Sequence, residues 1–299
     1  MLEKFFNRTR HVKPDSVEIK PRKVDFGLNE SVPYNWYKEF SVFSFLNAVT
    51  MLLPVGEQFF IESVRYYKNR INDPVLLEQL SGFIAQEAVH SRQHELLNQV
   101  LLRENPRLII IENIAKLLLG TAKLLPARFQ LAITCALEHF TASFANVLFS
   151  SYAGFTRFAH PAVGELWAWH AVEELEHKSV CFDVYQTLFG GVLGYVERCL
   201  AMFVVTLTFT LAISIGVVIS IVFYKRPKKS AAPQERQKET VATKKDGNEW
   251  LWLVSNVVLQ NLGFYFAYYN PFFHPWADDN SHYVTQWKLG RNQKFIKDL

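Results

Sequence analysis

Residues 86–94 read Gln-Glu-Ala-Val-His-Ser-Arg-Gln-His, and residues 169–178 read Trp-His-Ala-Val-Glu-Glu-Leu-Glu-His-Lys. Each contains a Glu-x-x-His step, Glu87 with His90 and Glu174 with His177. Residues three apart on a helix share a face, so each step aims a carboxylate and an imidazole at one point. His170, four residues before Glu174, lies on that same side. Working outward, each step is preceded by an apolar segment carrying one further carboxylate, Glu57 before the first and Glu138 before the second. One Glu from each of two helices, plus Glu-x-x-His from each of two others, is the inward-facing ligand set of a two-metal four-helix bundle. The expected metal ligands are therefore Glu57, Glu87, His90, Glu138, His170, Glu174 and His177.

Punctuation in the chain agrees with an all-α reading. Asp73-Pro74 is an N-cap followed by proline at the first helical position. Pro106, Pro126 and His160-Pro161 open further helices, and Gly190-Gly191 is expected to end the one carrying His170 to His177. Pro54 and Gly56 fall just before Glu57, where a kink is expected. No segment shows strand periodicity. The expected division is an N-terminal arm over 1–35, a four-helix bundle over 36–198, and a membrane-associated or transmembrane helix over 199–224. A flexible basic linker over 225–249 and a second apolar helix with a tail over 250–299 complete it.

The 26 residues from Cys199 to Tyr224 include no charged side chain and are followed by Lys225, Arg226, Lys228 and Lys229. An uncharged apolar stretch of about 18 or more residues signals a membrane span. A central helix buried in an oligomer is the alternative, and a homodimer is among the expected partners. The formal net charge is only +4, and the basic residues gather at the ends and in the linker, which gives nucleic-acid binding little support and an anionic membrane surface more. Three cysteines, Cys135, Cys181 and Cys199, have no Cys-x-x-Cys spacing and point away from a disulfide scaffold. No secretory signal is expected at the start. The bundle is placed on the cytoplasmic side of a bacterial inner membrane.

The order Glu57, Glu87-x-x-His90, Glu138, His170-x-x-x-Glu174-x-x-His177 resembles the di-iron p-aminobenzoate N-oxygenases of the ferritin-like superfamily. The resemblance covers roughly residues 40–190 and rests on ligand spacing. It implies a ferritin-like four-helix bundle, here with extra C-terminal apolar helices. It implies two metal ions, iron or a Mn/Fe pair, with O2 as co-substrate. The surrounding words, Gln86 to His90 and Trp169 to Lys178, look more like a bacterial family labelled as predicted metal-dependent hydrolases, a resemblance running over most of the chain. Ferritin-like oxygenases commonly place Asp before the Glu of Glu-x-x-His, to orient a ligand histidine. Here those positions hold Gln86 and Glu173, which can still accept a bond from an imidazole. His94 is expected as a solvated or core-edge histidine, with a supporting group or an eighth ligand as the alternatives; His139 falls on another face.

The expected function is a membrane-associated non-haem di-iron oxidase or oxygenase that hydroxylates, desaturates or N-oxygenates a lipophilic substrate. Membrane lipid and an external electron donor are its expected partners, and nucleic acid is not. The alternatives are a hydrolase whose two metals activate water and a ferroxidase or iron-handling protein.

Overall fold

The computed structural model describes residues 13–150, 152–224, 262–289 and 296–297. The described chain is mostly helical, and its strands are a single two-residue antiparallel pair, β1 (Lys23–Val24) with β2 (Ile296–Lys297). The helices are α1 (Phe40–Arg65), α2 (Pro74–Glu104), α3 (Ile109–Ala122), α4 (Ala127–Ser150), α5 (Tyr152–Phe158), α6 (Pro161–His177), α7 (Val180–Phe189), α8 (Val192–Val222) and α9 (Ser281–Leu289).

Their starts follow from the sequence. Asp73 caps α2, its Oδ1 accepting from the Val75 N–H at 2.9 Å. Glu39 caps α1, accepting from Val42 N–H at 2.7 Å, so a free helix donor is satisfied at each end. Helix α1 runs on through Pro54 without a break in its helical assignment. The helix expected to reach Gly190 instead breaks at Lys178 and Ser179. There the buried Lys178 ammonium donates to Asp278 O at 2.7 Å and Asn280 Oδ1 at 2.8 Å, tying the turn to the C-terminal segment. The helix expected to begin near Cys199 starts earlier, at Val192.

Helices α1, α2, α6 and α4 pack in a closed ring, each against two of the others. The apolar core falls into two clusters, one around Phe43, Leu46, Leu101 and Trp167 and the other around Phe59, Leu80, Phe83 and Leu131. On α1, α2 and α4 the ligand-type residues sit between the stretches that feed the two clusters. Every residue of α6 from Leu166 to His177 is buried, Glu173, Glu174 and Glu176 included.

Among the described residues, three stretches are long and apolar enough to cross a membrane: Phe40–Arg70, Ala127–Ser150 and Val192–Val222. The most apolar windows of the first two are 61% and 72% buried within the protein, that of the third only 28%. Helices α1 and α4 therefore spend their apolar surface on the core. Helix α8 packs one face on α1, α3 and α4 and leaves Leu200, Phe203, Leu207 and Leu211 exposed on the other. At Gly216 it approaches α1 so closely that an added Cβ would stand 2.9 Å from the Ala48 Cβ. The 225–249 linker and most of the expected 250–269 helix lie outside the described residues. Residues 262–267 are helical.

Candidate metal centre

All seven expected ligands are buried, and the ring of helices brings them together. Their donor atoms form three overlapping groups whose members lie within 4.8 Å of one another: Glu57, His90 and His170; Glu87, His90 and Glu174; and Glu87, Glu138 and His177. Glu87 and His90 each belong to two groups. One end of the cluster is rich in nitrogen, with the His90 and His170 rings stacked at 4.2 Å. The other end holds His177 alone among carboxylates.

Hydrogen bonds behind the cluster assign which ring nitrogen carries a proton. Asn98 Nδ2 donates to Thr50 O at 3.0 Å, which turns Asn98 Oδ1 to accept from the Thr50 hydroxyl at 3.0 Å. Thr50 Oγ1 must then accept from His94 Nδ1–H at 2.8 Å. His94 Nε2 in turn accepts from His170 Nδ1–H at 2.8 Å. This leaves a bare lone pair on His170 Nε2, 3.0 Å from Glu174 Oε1. His94 is thus buried and positions His170, in place of the solvated histidine the sequence allowed.

The same logic fixes His177. Gln86 Nε2 donates to Lys20 O at 3.2 Å and Glu176 Oε2 at 3.0 Å, so its Oε1 accepts from His177 Nδ1–H at 3.2 Å. His177 Nε2 then faces Glu87 at 3.1 Å, Glu174 at 3.5 Å and Glu138 at 3.6 Å. His90 Nε2–H donates to Glu173 Oε2 at 3.1 Å, and its Nδ1 faces Glu174 and Glu87 at 3.7 and 3.9 Å. The residue before each Glu-x-x-His therefore orients the histidine of the other one. Glu174 is the inward carboxylate and Glu173 the supporting one.

Both oxygens of Glu57, Glu87 and Glu138, Oε2 of Glu174, Nδ1 of His90 and Nε2 of His177 are buried without a hydrogen bond. An uncompensated buried ion costs several kcal/mol, against a total stability of about 5–15 kcal/mol. The carboxylates of the cluster must therefore be neutralised, by protons, as burial favours at Glu57 and Glu138, or by bound cations. Without them, burial pushes the Glu87 carboxyl up to about 6. Burial and the neighbouring His170 hold His90 well below its usual range. Burial opposes charge on His177 too, but Glu174 and Glu138 outweigh it and hold a proton on that ring. A metal ion would take that proton's place. Four carboxylates balance two divalent ions, and hard oxygens with imidazole nitrogens suit iron, manganese or zinc.

One important residue was not legible in the sequence. Arg22, from the N-terminal arm, donates to Glu173 Oε1 at 2.7 Å and to Glu176 at 2.8 and 2.6 Å. Glu173 holds His90, and Glu176 holds Gln86, which holds His177. A single guanidinium thus stands behind both histidines. Its two carboxylate partners keep it charged despite burial, and Lys288, 3.5 Å from Glu176, supplies a second positive charge. The arm is packed down, with Ile19 O only 2.2 Å from where a Cβ on Gly82 would stand. The surplus Glu173 and Glu176 in the buried stretch Leu166–His177 called for a cation, but not for this one.

His139 is buried away from the cluster, its ring stacked on Phe264 at 4.2 Å. Cys181 is a buried free thiol. His274 pairs with Asp183 at 2.9 Å.

Beside the cluster lies a cavity of about 770 Å³, reached by Glu57, His170 and Glu174 and walled by residues of α1, α3, α4, α6 and α8, with Leu262 and Tyr265 from the C-terminal segment.

The predicted metal-dependent hydrolase family matches residues 20–279. The chain belongs to that family. No curated protein and no solved structure matches it. Membership supports a metal-dependent enzyme and backs the hydrolytic alternative. The oxygenase resemblance has no such match.

Proposed function

We propose that this chain is a two-metal enzyme that transforms a lipophilic substrate in the cavity beside Glu57, His170 and Glu174. The frame is a ferritin-like four-helix bundle of α1, α2, α4 and α6, within the 36–198 region. The observation that carries the reading is the set of inward-facing, unpaired buried carboxylate and imidazole atoms next to an apolar cavity. Glu57, His90 and His170 would hold one ion and Glu138 and His177 the other, with Glu87 and Glu174 between them. Bound there, the metals would supply either reduction of dioxygen or activation of water. The chain's own part is to fix the imidazole lone pairs through His94, Gln86 and Glu173, to exclude water and to orient the substrate.

Between the two chemistries, the family description supports hydrolysis and the cavity supports oxidation. Ester or amide hydrolysis releases an acid or an amine, ionised near neutral pH. Away from the metal centre, no described Asp, Glu, Lys or Arg side chain lines the cavity to carry such a product out, and moving an ion past apolar walls is costly. Hydroxylation or desaturation gives a neutral product. We therefore favour an O2-dependent oxidase or oxygenase of the di-iron or Mn/Fe type, supplied with electrons by a separate donor. The exposed apolar face of α8 and the basic residues 225–229 support attachment to the cytoplasmic face of a membrane.

The test is oxygen uptake by protein loaded anaerobically with ferrous iron, with Mössbauer spectra before and after exposure to oxygen. Oxidation of a coupled iron pair, limited to two ions per chain, supports the reading. Inertness to oxygen, together with metal-dependent ester or amide hydrolysis under argon, would replace it with the hydrolase. Uptake of iron far beyond two per chain would replace it with iron handling.

A further inference from the structure

We propose that the cavity beside the metal centre is a binding site for one long acyl chain of a membrane lipid, whose head group stays outside. This names the substrate class of the site above and rests on that reading only for the chain being transformed as well as bound.

Length is the first argument. The wall on α1 runs from Phe45 to Phe60 and that on α8 from Val204 to Ser214. At 1.5 Å per residue these are roughly 22 and 15 Å, close to one leaflet of a hydrocarbon core of ~30 Å. The volume of about 770 Å³ falls within the range of ligand sites, roughly 300–1,000 Å³.

The second argument is the state of the hydroxyls on the wall. Thr206 Oγ1 donates to Met202 O at 2.7 Å, Thr208 Oγ1 to Val204 O at 3.0 Å, and Ser143 Oγ to His139 O at 2.6 Å. Thr141 Oγ1 donates to Glu138 O at 3.1 Å. These four hydroxyls are turned back onto their own helices, as is Thr121 toward Leu117 O at 2.8 Å. The Tyr265 hydroxyl on the wall is paired with Thr206 at 3.1 Å and Tyr269 at 2.9 Å. A sugar, nucleotide or peptide would find few donors, while methylene groups need none. With no lysine or arginine among the described residues of the wall, an anionic head gains nothing by entering.

The third argument is where the wall faces. Val205 and Ala212 of α8 are buried at the cavity, and on the same helix Phe203, Leu207 and Leu211 are more than half exposed on the opposite side. One helix therefore separates the cavity from an apolar surface long enough to meet lipid, so a tail need not cross water to reach the centre.

The probe is stearic acid carrying a nitroxide near its methyl end, titrated by EPR into the full chain in mild detergent. The expected result is one immobilised probe per chain, with or without metal. Ala212→Phe and Ala122→Phe, which fill the cavity from α8 and α3, should each weaken binding about tenfold or more. Leu207→Phe, on the outer face, should leave it unchanged. The two filling variants come from different helices, so a folding defect in one, seen as a lowered melting temperature, leaves the other decisive. Partitioning that is equal in all variants, as into detergent alone, overturns the proposal, as does failure of the metal-free wild type to immobilise the probe. Metal binding with oxygen uptake but no probe binding would sink this inference and leave the proposed function standing. Probe binding without either chemistry would do the reverse.

Discussion

The two halves of the centre are built from the same words and supported differently. Glu57 with Glu87 and His90 echoes Glu138 with Glu174 and His177, a lone-carboxylate helix followed by a Glu-x-x-His helix each time. Behind His90 stands a carboxylate, Glu173, and behind His177 an amide, Gln86. Only the first half gains an extra imidazole, His170, with the relay through His94 and Thr50 behind it. The difference teaches that the echo sets where ions would sit, while the outer groups would decide how each is held. A carboxylate behind an imidazole makes it the stronger donor; an amide only fixes its orientation.

The largest effect should come from breaking what the halves share. Glu87 faces ligand atoms of both. Glu87→Gln should drop metal content from two ions per chain to less than one, read by metal analysis after gel filtration. It also removes a buried charge. Its metal-free form should therefore melt higher than the metal-free wild type and its metal-loaded form lower than the loaded wild type, an inversion that calorimetry reads directly. A Glu87→Gln chain that keeps both ions would refute the shared role.

Arg22 is the next lever, because it stands behind both histidines at once. Arg22→Met leaves Glu173 and Glu176 in the interior with one fewer cation, at a cost of about 3–5 kcal/mol in stability, and should weaken both ions together. Arg22→Lys should recover part of this, since an ammonium cannot reproduce the two-carboxylate fork. Equal behaviour of Met and Lys at this position, by calorimetry and metal titration, would show that the guanidinium geometry is irrelevant.

Arg22 also marks the limit of what the sequence discloses. The seven inward residues were legible because helical spacing is a local signal, and Gln86 and Glu173 because they adjoin it. Asp73-Pro74 and His160-Pro161 announced their helices for the same reason. Arg22 sits in a segment with no period, and its partners lie 151 and 154 residues away. The turn at Lys178 escaped likewise, since its cause is the distant pair Asp278 and Asn280. The cavity is a gap between helices, and no residue encodes a gap. Composition marked α8 as a membrane candidate but did not show that its inner face packs on α1 and α4 and closes the cavity.

The supporting residues give a smaller and sharper contrast. Glu173→Gln should weaken the ion at the His90 end by about 10–100-fold and leave the His177 end nearly intact. Gln86→Glu, which would make the halves alike, should not strengthen the second ion. The Gln86 amide also donates to Lys20 O and Glu176 Oε2, and a carboxylate there would face Glu176 without a proton. Two-step metal titrations of both variants, read against the wild type, check this. A tighter second ion in Gln86→Glu would show that the amide serves only His177.

The smallest effect is expected at the far end of the relay. Thr50→Val keeps the side chain's shape and removes the hydroxyl that accepts from His94 Nδ1–H and donates to Asn98 Oδ1. His94 is buried and held well below its usual range by burial and the neighbouring His170, so it stays neutral with one proton to place. In the wild type that proton is fixed on Nδ1 and His170 is obliged to present its Nε2 lone pair inward. In Thr50→Val the proton can move to His94 Nε2, and the His170 ring then loses its enforced orientation. One net hydrogen bond is worth about 0.5–1.5 kcal/mol, so the ion near Glu57 should bind a few-fold more weakly and the ion near Glu138 as before. Thr50→Ser, which restores the hydroxyl, should restore the affinity. Equal weakening of both ions would mean that His170 belongs to neither half in particular, and the asymmetry of the centre would have to be traced to Glu173 and Gln86 alone.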